Sequence, residues 1–474
     1  MIQLNRSGRS IARMLVLFVG YLVITSVIPG TLTSTLTNAI PVMGGLSVLG
    51  EPRPAQADDW PQWLGPRRDG VWRESGVVRE FPTGGPKVIW RQPIAGGYSG
   101  PAVAQGRVYV TDFVAPGERK NDPGSRIELD GREQLHCLDA ATGKSLWKYD
   151  YACRYQISYP AGPRCTPTVV GGKVYTLGAQ GHLACVEAKT GKPLWTRELA
   201  QDYSAEVPIW GYSSHLLVDG DLVYSMVGGA GSTIVAFHKD TGKEVWKALN
   251  AKEQGYCPPS IIEAGGKRQL ISWDPQQIHG LDPATGKVYW SEKLEPQYGM
   301  SIQMPVKHGN FLFAGGIGNQ ALLLNLATDK PAVEVVWHGT NSTAVYPTCG
   351  APFVDENGVL YGACQQGHFR GVDLATGKRL WETFKPTTGQ RFASSGTCFI
   401  VRNGDRYFLM GENGDLIIAK LSAKGYDEVS RTHILEPTNE AFGRSVVWSH
   451  PAFADRSLFM RNDKEIVRVS LAAP

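Results

Sequence analysis

Along most of the chain, short runs that alternate apolar and polar residues are cut off by glycine or aspartate, the period of half-buried strands rather than of amphipathic helices. GGKVYTLGA, GDLVYSMVG and GVLYGACQ are such runs, rich in β-branched and aromatic residues. Between them one phrase returns: LDAATGKSLW ending at Trp147, VEAKTGKPLW at Trp195, FHKDTGKEVW at Trp246, LDPATGKVYW at Trp290 and VDLATGKRLW at Trp381. Two weaker copies, NLATDKPAVEVVW ending at Trp337 and KLSAKGYDEV ending at Val429, fill the gaps, and VIW ending at Trp90 reads as the tail of an eighth. Successive tryptophans lie 44 to 57 residues apart where they can be followed, the length of one four-stranded blade. The pattern predicts an all-β chain, an eight-bladed β-propeller of four-stranded antiparallel blades.

Inside the phrase, Thr-Gly suits a hairpin turn, with glycine in the left-handed conformation and the preceding aspartate or threonine bonding to nearby backbone. Asp139, Asp282 and Asp373 are therefore read as turn formers, and Lys144, Lys192, Lys243, Lys287 and Lys378 as the first residues of outer strands rather than phosphate ligands. Trp90, Trp147, Trp195, Trp246, Trp290, Trp337 and Trp381 are structural, each packing flat between neighbouring blades. Cys137 and Cys185 fall five residues before the repeat threonine, where other copies have Ala236, Gly280 and Gly371, so that slot calls for a small buried side chain. The last 27 residues supply about three strands and the segment near Trp90 only an outer one, so an N-terminal outer strand is expected to complete the last blade and close the ring.

Of the 474 residues, 55 are glycine and 13 tryptophan, which fits many tight turns and large flat packing residues. Residues 1–57 read as an export signal: Arg6, Arg9 and Arg13 precede an apolar run from Met14 to Ile28, and Ala55-Gln56-Ala57 offers a cleavage site. The alternative is a short uncleaved anchor, the only route by which the protein would meet a membrane. Either reading puts the body outside the cytoplasm, periplasmic or secreted. Residues 58–85 are expected to form a strap and 86–474 the propeller. Without the signal, 44 basic residues face 43 acidic ones, a near-neutral body that argues against nucleic acid as a partner.

With these motifs in view, the repeats resemble the PQQ-like (pyrroloquinoline quinone) propeller repeat over roughly Pro86 to Ala472. That repeat is shared by PQQ-dependent dehydrogenases and by BamB, an outer-membrane assembly lipoprotein without enzymatic activity. The opening DWPQWLGPRRDG, Asp59 to Gly70, also resembles the start of many exported members of unknown activity. The resemblance implies the fold and leaves activity open, because function sits in the site. Its dehydrogenases are expected to carry adjacent bridged cysteines beside the quinone and a calcium held by carboxylate and amide ligands. Here the cysteines are 137, 153, 165, 185, 257, 349, 364 and 398, none adjacent, and no C-x-x-C-H is present. The export segment has no cysteine for a lipid anchor, which departs from BamB. The reading is a non-catalytic binding or scaffolding module with no cofactor, its partner another envelope or secreted protein or a small polar ligand. The alternatives are a PQQ- and calcium-dependent alcohol or sugar dehydrogenase and a BamB-like envelope assembly factor. The histidines lack metal-ligand spacing, and neither a G-x-S-x-G elbow nor a Walker-type loop occurs.

The candidate binding face lies where the chain crosses from each outer strand to the next inner one. Tyr98, Tyr159, Tyr212, Tyr256, Tyr298 and Tyr346 recur there in six successive blades, joined by Trp210, Arg391, Arg444 and Trp448, and are expected at one mouth of the channel. The alternative reading makes each tyrosine a structural cap on its blade that bonds to its neighbour. An expanded loop, Ala115 to Gly131, is expected on the same face. A hairpin turn centred on Glu356-Asn357 would set Cys349 opposite Cys364 as a cross-strand disulfide, with Cys153 and Cys165 a second candidate pair.

Overall fold

The computed structural model describes residues 58–117 and 121–474; the expected export segment lies outside the described residues. Eight four-stranded antiparallel sheets follow one another along the chain. Blade 1 runs through Ala102–Ala104, Arg107–Val114, Ile127–Asp139 and Ser145–Ile157. Blades 2 to 7 begin at Thr168–Val170, Leu217–Asp219, Ser260–Ala264, Val306–His308, Phe353–Val354 and Cys398–Asn403. Blade 8 takes three strands from the C-terminus, Ala452–Ala454, Ser457–Arg461 and Glu465–Ser470, and its outer strand, Val88–Pro93, from the N-terminal side. Arg91 pairs with Val467 and Pro93 with Glu465, so the two ends of the propeller are stitched into one sheet. A four-residue α-helix, Leu199–Asp202, is the one α-helix among the described residues, and no helix there is long and apolar enough to cross a membrane.

The recurrent phrase works by an interlock between blades. Most of these tryptophans lie against the turn glycine of the next blade: an added Cβ would come within 2.7 Å of Trp90 at Gly143 and within 2.5 Å of Trp147, Trp195 and Trp246 at Gly191, Gly242 and Gly286. Those glycines have φ between 65° and 74°, where side chains are disfavoured. The indole N–H then donates to a main-chain carbonyl of the same turn, Trp90 to Ala140 (2.9 Å), Trp147 to Ala188 (3.1 Å), Trp195 to Lys239 (2.8 Å), Trp246 to Pro283 (3.0 Å) and Trp337 to Leu374 (3.0 Å). Trp290 faces blade 5, whose phrase has no Thr-Gly, and donates instead to Gln269 Oε1 in its own blade (2.7 Å). Asp139 and Asp373 hold their turns by accepting from the backbone N–H and hydroxyl of Thr142 and Thr376. The small slot is also explained: a bulge sets Cys137, Cys185, Ala236, Gly280 and Gly371 directly across from the tryptophan of their own blade, and a Cβ on Gly280 would meet Trp290 at 2.3 Å.

The strap does more than fasten the chain to the rim. Trp60 pairs with Val103 of blade 1, Pro61 accepts from Val169 N of blade 2, Arg68 donates to the carbonyls of Leu216 and Pro259 ahead of blades 3 and 4, and Val71 pairs with Arg402 of blade 7. Residues 60–71 therefore cross the central channel from one inner strand to another and plug it. Arg68 is buried, which pulls its guanidinium down to about 10, so it stays charged at neutral pH against carbonyl dipoles.

Two expectations are corrected. Phe353 pairs with Tyr361 and Val354 with Leu360, so the hairpin centres on Asn357, half a residue beyond the expected point, and Cys349 and Cys364 lie outside the paired segment. Cys364 Sγ accepts from Tyr346 N and Arg370 Nη1, Cys165 donates to Ser214 O, and all eight cysteines are free, Cys153 among them. The expanded loop is shorter than Ala115 to Gly131, because Ile127 already begins a strand.

The interlock predicts that Gly242→Ala, with its Cβ at 2.5 Å from Trp195 and a left-handed backbone, lowers unfolding stability by about 2–3 kcal/mol in urea titrations. Denaturing alkylation without reductant should label all eight cysteines, read by intact mass.

Candidate functional site

Because outer strands end and crossings begin on one face, while the Thr-Gly turns occupy the other, the plug converts the channel into a cup that opens among the crossings. The cup is a cavity of about 1110 Å³. Tyr98, Tyr159, Tyr256, Tyr298, Trp210 and Trp448 line it, as the crossing series led one to expect. Tyr212 and Tyr346 do not. Tyr212 is buried between blades and donates to Val227 O (2.9 Å), and Tyr346 is buried and donates to Thr340 O (2.5 Å), so these two are the blade caps of the alternative reading. Arg391 is absent from the lining. Arg444 stands behind the wall, gripping Glu412 at 2.7 and 3.1 Å, and Glu412 accepts the Trp448 indole N–H at 3.0 Å, so the pair props that ring in place.

The floor is made by residues the sequence did not single out. Trp63, carried in by the plug, stacks on His215 with ring centroids 4.6 Å apart and planes 11° apart, and meets His450 edge-on at 5.6 Å. His215 Nδ1 accepts from Thr166 N (3.0 Å), which fixes its tautomer. Burial holds both imidazoles neutral, His450 down to about 3 and His215 well below its usual range, with each other and Arg68 adding to the effect on His215. Burial likewise pushes the Cys349 thiol up to about 12, so no thiolate is on hand at neutral pH.

At the rim three aromatic rings stand in water: Tyr298 is 69% exposed, Phe392 59% and Phe442 49%. Every other strongly exposed large apolar residue among those described is aliphatic, and most lie on outer strands. Tyr159, Tyr298, Ser395 and Phe442 all line the cup with φ between 51° and 60°. Left-handed backbone at bulky residues costs about 1–3 kcal/mol each and persists only where the surroundings hold it. The blade 1 loop reaches over the same face, placing Pro123 and Gly124 on the lining, while Asn121 donates to Glu440 O (2.7 Å) of the Asn439–Ala441 and Arg444–Val446 hairpin.

Among the described lining residues Glu253 is the one carboxylate and Arg164 the one arginine or lysine. Arg164 is tied down by the carbonyls of Ser158 (2.9 Å), Tyr159 (2.7 Å) and Gly162, and lies over the Tyr98 ring at 5.0 Å. Calcium takes six to eight oxygen ligands, several of them carboxylates as a rule, and no group of three His, Cys, Asp or Glu among the described residues converges to hold a metal. This donor set does not fit a calcium-held quinone.

The neutral floor has a pH consequence. Unfolding frees both histidines to bind protons below about 6.5, whereas the folded state resists them, so stability falls as pH drops through that value, by up to about 1.4 kcal/mol per pH unit per histidine. Thermal melts between about pH 6.5 and 5 should show this loss, and His450→Gln should make it shallower.

A family model described as outer membrane protein assembly factor BamB matches the chain at residues 74–255, 131–297 and 274–467. Among solved structures, BamB from Moraxella catarrhalis is 13% identical, with a TM-score of 0.53 over 81% of this chain and 99% of that one. Quinohemoprotein alcohol dehydrogenase from Comamonas testosteroni is also 13% identical, with a TM-score of 0.55 over 88% of this chain and 81% of that one. At such identity both show the fold alone. A comparison with curated protein sequences finds no match. The matched segments run through all eight blades and carry the repeat described above, and the chain belongs to the PQQ-like β-propeller family of that model.

Proposed function

We propose that this chain is an extracytoplasmic binding or scaffolding propeller that receives its ligand or partner in the aromatic cup, without quinone chemistry. The observation that carries this reading is the rim. Exposed aromatic rings are costly in water, and the three such rings among the strongly exposed residues all surround one cavity mouth. A blind cavity lined mostly by apolar groups with a few polar ones is the usual form of a binding site. The family description, outer membrane protein assembly factor, supports an envelope setting and a role through contact rather than turnover. The dehydrogenase alternative is less well supported, because the lining offers one carboxylate and the cysteines are neither adjacent nor bridged.

The test uses the chain from Asp58 to Pro474 and the neutral dye Nile red, whose emission rises in apolar sites. Saturable binding should occur, weakened about tenfold or more by Phe392→Ala with Phe442→Ala, with the melting temperature unchanged. Titration with PQQ and calcium should produce no dye-linked oxidation of alcohols or aldose sugars. Turnover, or dye binding indifferent to the rim, would overturn the reading.

A further inference from the structure

The cup's lining also says what kind of ligand it takes. Its single carboxylate, Glu253, and its single arginine, Arg164, held by three carbonyls, offer little to neutralise a phosphate, a uronate or a polycation, which favours an uncharged ligand. Its rings come in separate groups: Trp210 and Tyr256 lie 5.7 Å apart on one side, and Tyr159, Phe442 and Trp448 lie 6.0 to 6.5 Å from one another on another. At about 1110 Å³ the space exceeds the roughly 300–1,000 Å³ of small-molecule pockets. The occupant is therefore long enough to reach more than one group of rings.

A purely apolar ligand would leave polar groups of the wall without partners. The side-chain amides of Gln297 and Gln366, also on the lining, make no hydrogen bond within the described protein. A peptide adding itself as a strand is poorly served, since the plug already pairs with the inner strands of blades 1 and 7 and bonds to blade 2.

We propose that the cup binds a neutral oligosaccharide, whose pyranose C–H faces stack on the separate ring groups while its hydroxyls meet the side-chain amides of Gln297 and Gln366. A pyranose chain is the uncharged ligand that has both an apolar face and a dense edge of hydroxyls in every unit, as this lining requires. This rests on the cup being the working site, as proposed above.

The experiment displaces Nile red from the same chain with hexasaccharides of β-1,4-glucose, α-1,4-glucose and β-1,4-N-acetylglucosamine, their monosaccharides, hexagalacturonate as a charged control, and an uncharged hexapeptide. At least one neutral hexasaccharide should displace the dye about tenfold or more better than its monosaccharide and than hexagalacturonate. Trp210→Ala should weaken that displacement about tenfold. Gln366→Ala, which removes no packed ring, should weaken it severalfold while leaving the melting temperature unchanged. If the dye binds at the rim but no neutral hexasaccharide displaces it, or if the hexapeptide or hexagalacturonate does so better, the sugar assignment is overturned and the cup stands. If the dye itself ignores the rim, the cup falls first.

Discussion

The tryptophan seated on its neighbour's turn is the contact on which the ring depends. In most blades it buries a large apolar face against a glycine that has no side chain to obstruct it, and its N–H satisfies a carbonyl of the neighbouring turn. The contact is made between blades rather than within one, so no blade has it complete until its neighbour is in place. The link between blades 8 and 1 is made by Trp90, which arrives on the N-terminal strand and sits on Ala140 and Gly143. Closure and interlock are one event there, and the ring has no free end from which to open.

This arrangement divides the two faces of the propeller. On the Thr-Gly face, most turns grip a neighbouring tryptophan, and a longer loop or a bulkier residue would break the seam. The crossings are under no such constraint. They alone carry the exposed rings of Tyr298, Phe392 and Phe442, the left-handed Tyr159 and the hairpin near Asn439. The plug completes the division by blocking the channel from the strap side, so that Trp63 becomes a floor and the cavity a cup with one mouth.

The blades were legible in the sequence because the repeat writes the same local constraint many times: an aspartate for the turn, a glycine for its φ, a small residue across from the tryptophan. The site was legible only in part. Tyr98, Tyr159, Tyr256 and Tyr298 reach the cavity and Tyr212 and Tyr346 do not, although all six occupy similar positions in their crossings. The difference lies in whether a carbonyl such as Val227 O or Thr340 O is within reach of the hydroxyl, and that depends on the path of loops of unequal length. Cys349 and Cys364 failed for a related reason, since an error of half a residue in a turn centre shifts the whole register. Trp63, His215 and His450 come from the strap and two distant crossings, and no spacing along the chain brings them together. The paired tryptophans of DWPQWLG were the available signal that the strap goes inside.

The floor also bears on what the cup can accept. Two imidazoles and a guanidinium lie around Trp63; burial keeps the imidazoles neutral, so Arg68, set against the carbonyls of Leu216 and Pro259, is the one charged group of the three. Protonating His215 would place a second positive charge near Arg68 in a medium of low dielectric, where like charges repel strongly. The same burial that makes the fold sensitive to acid therefore keeps the floor from gaining positive charge beyond that of Arg68.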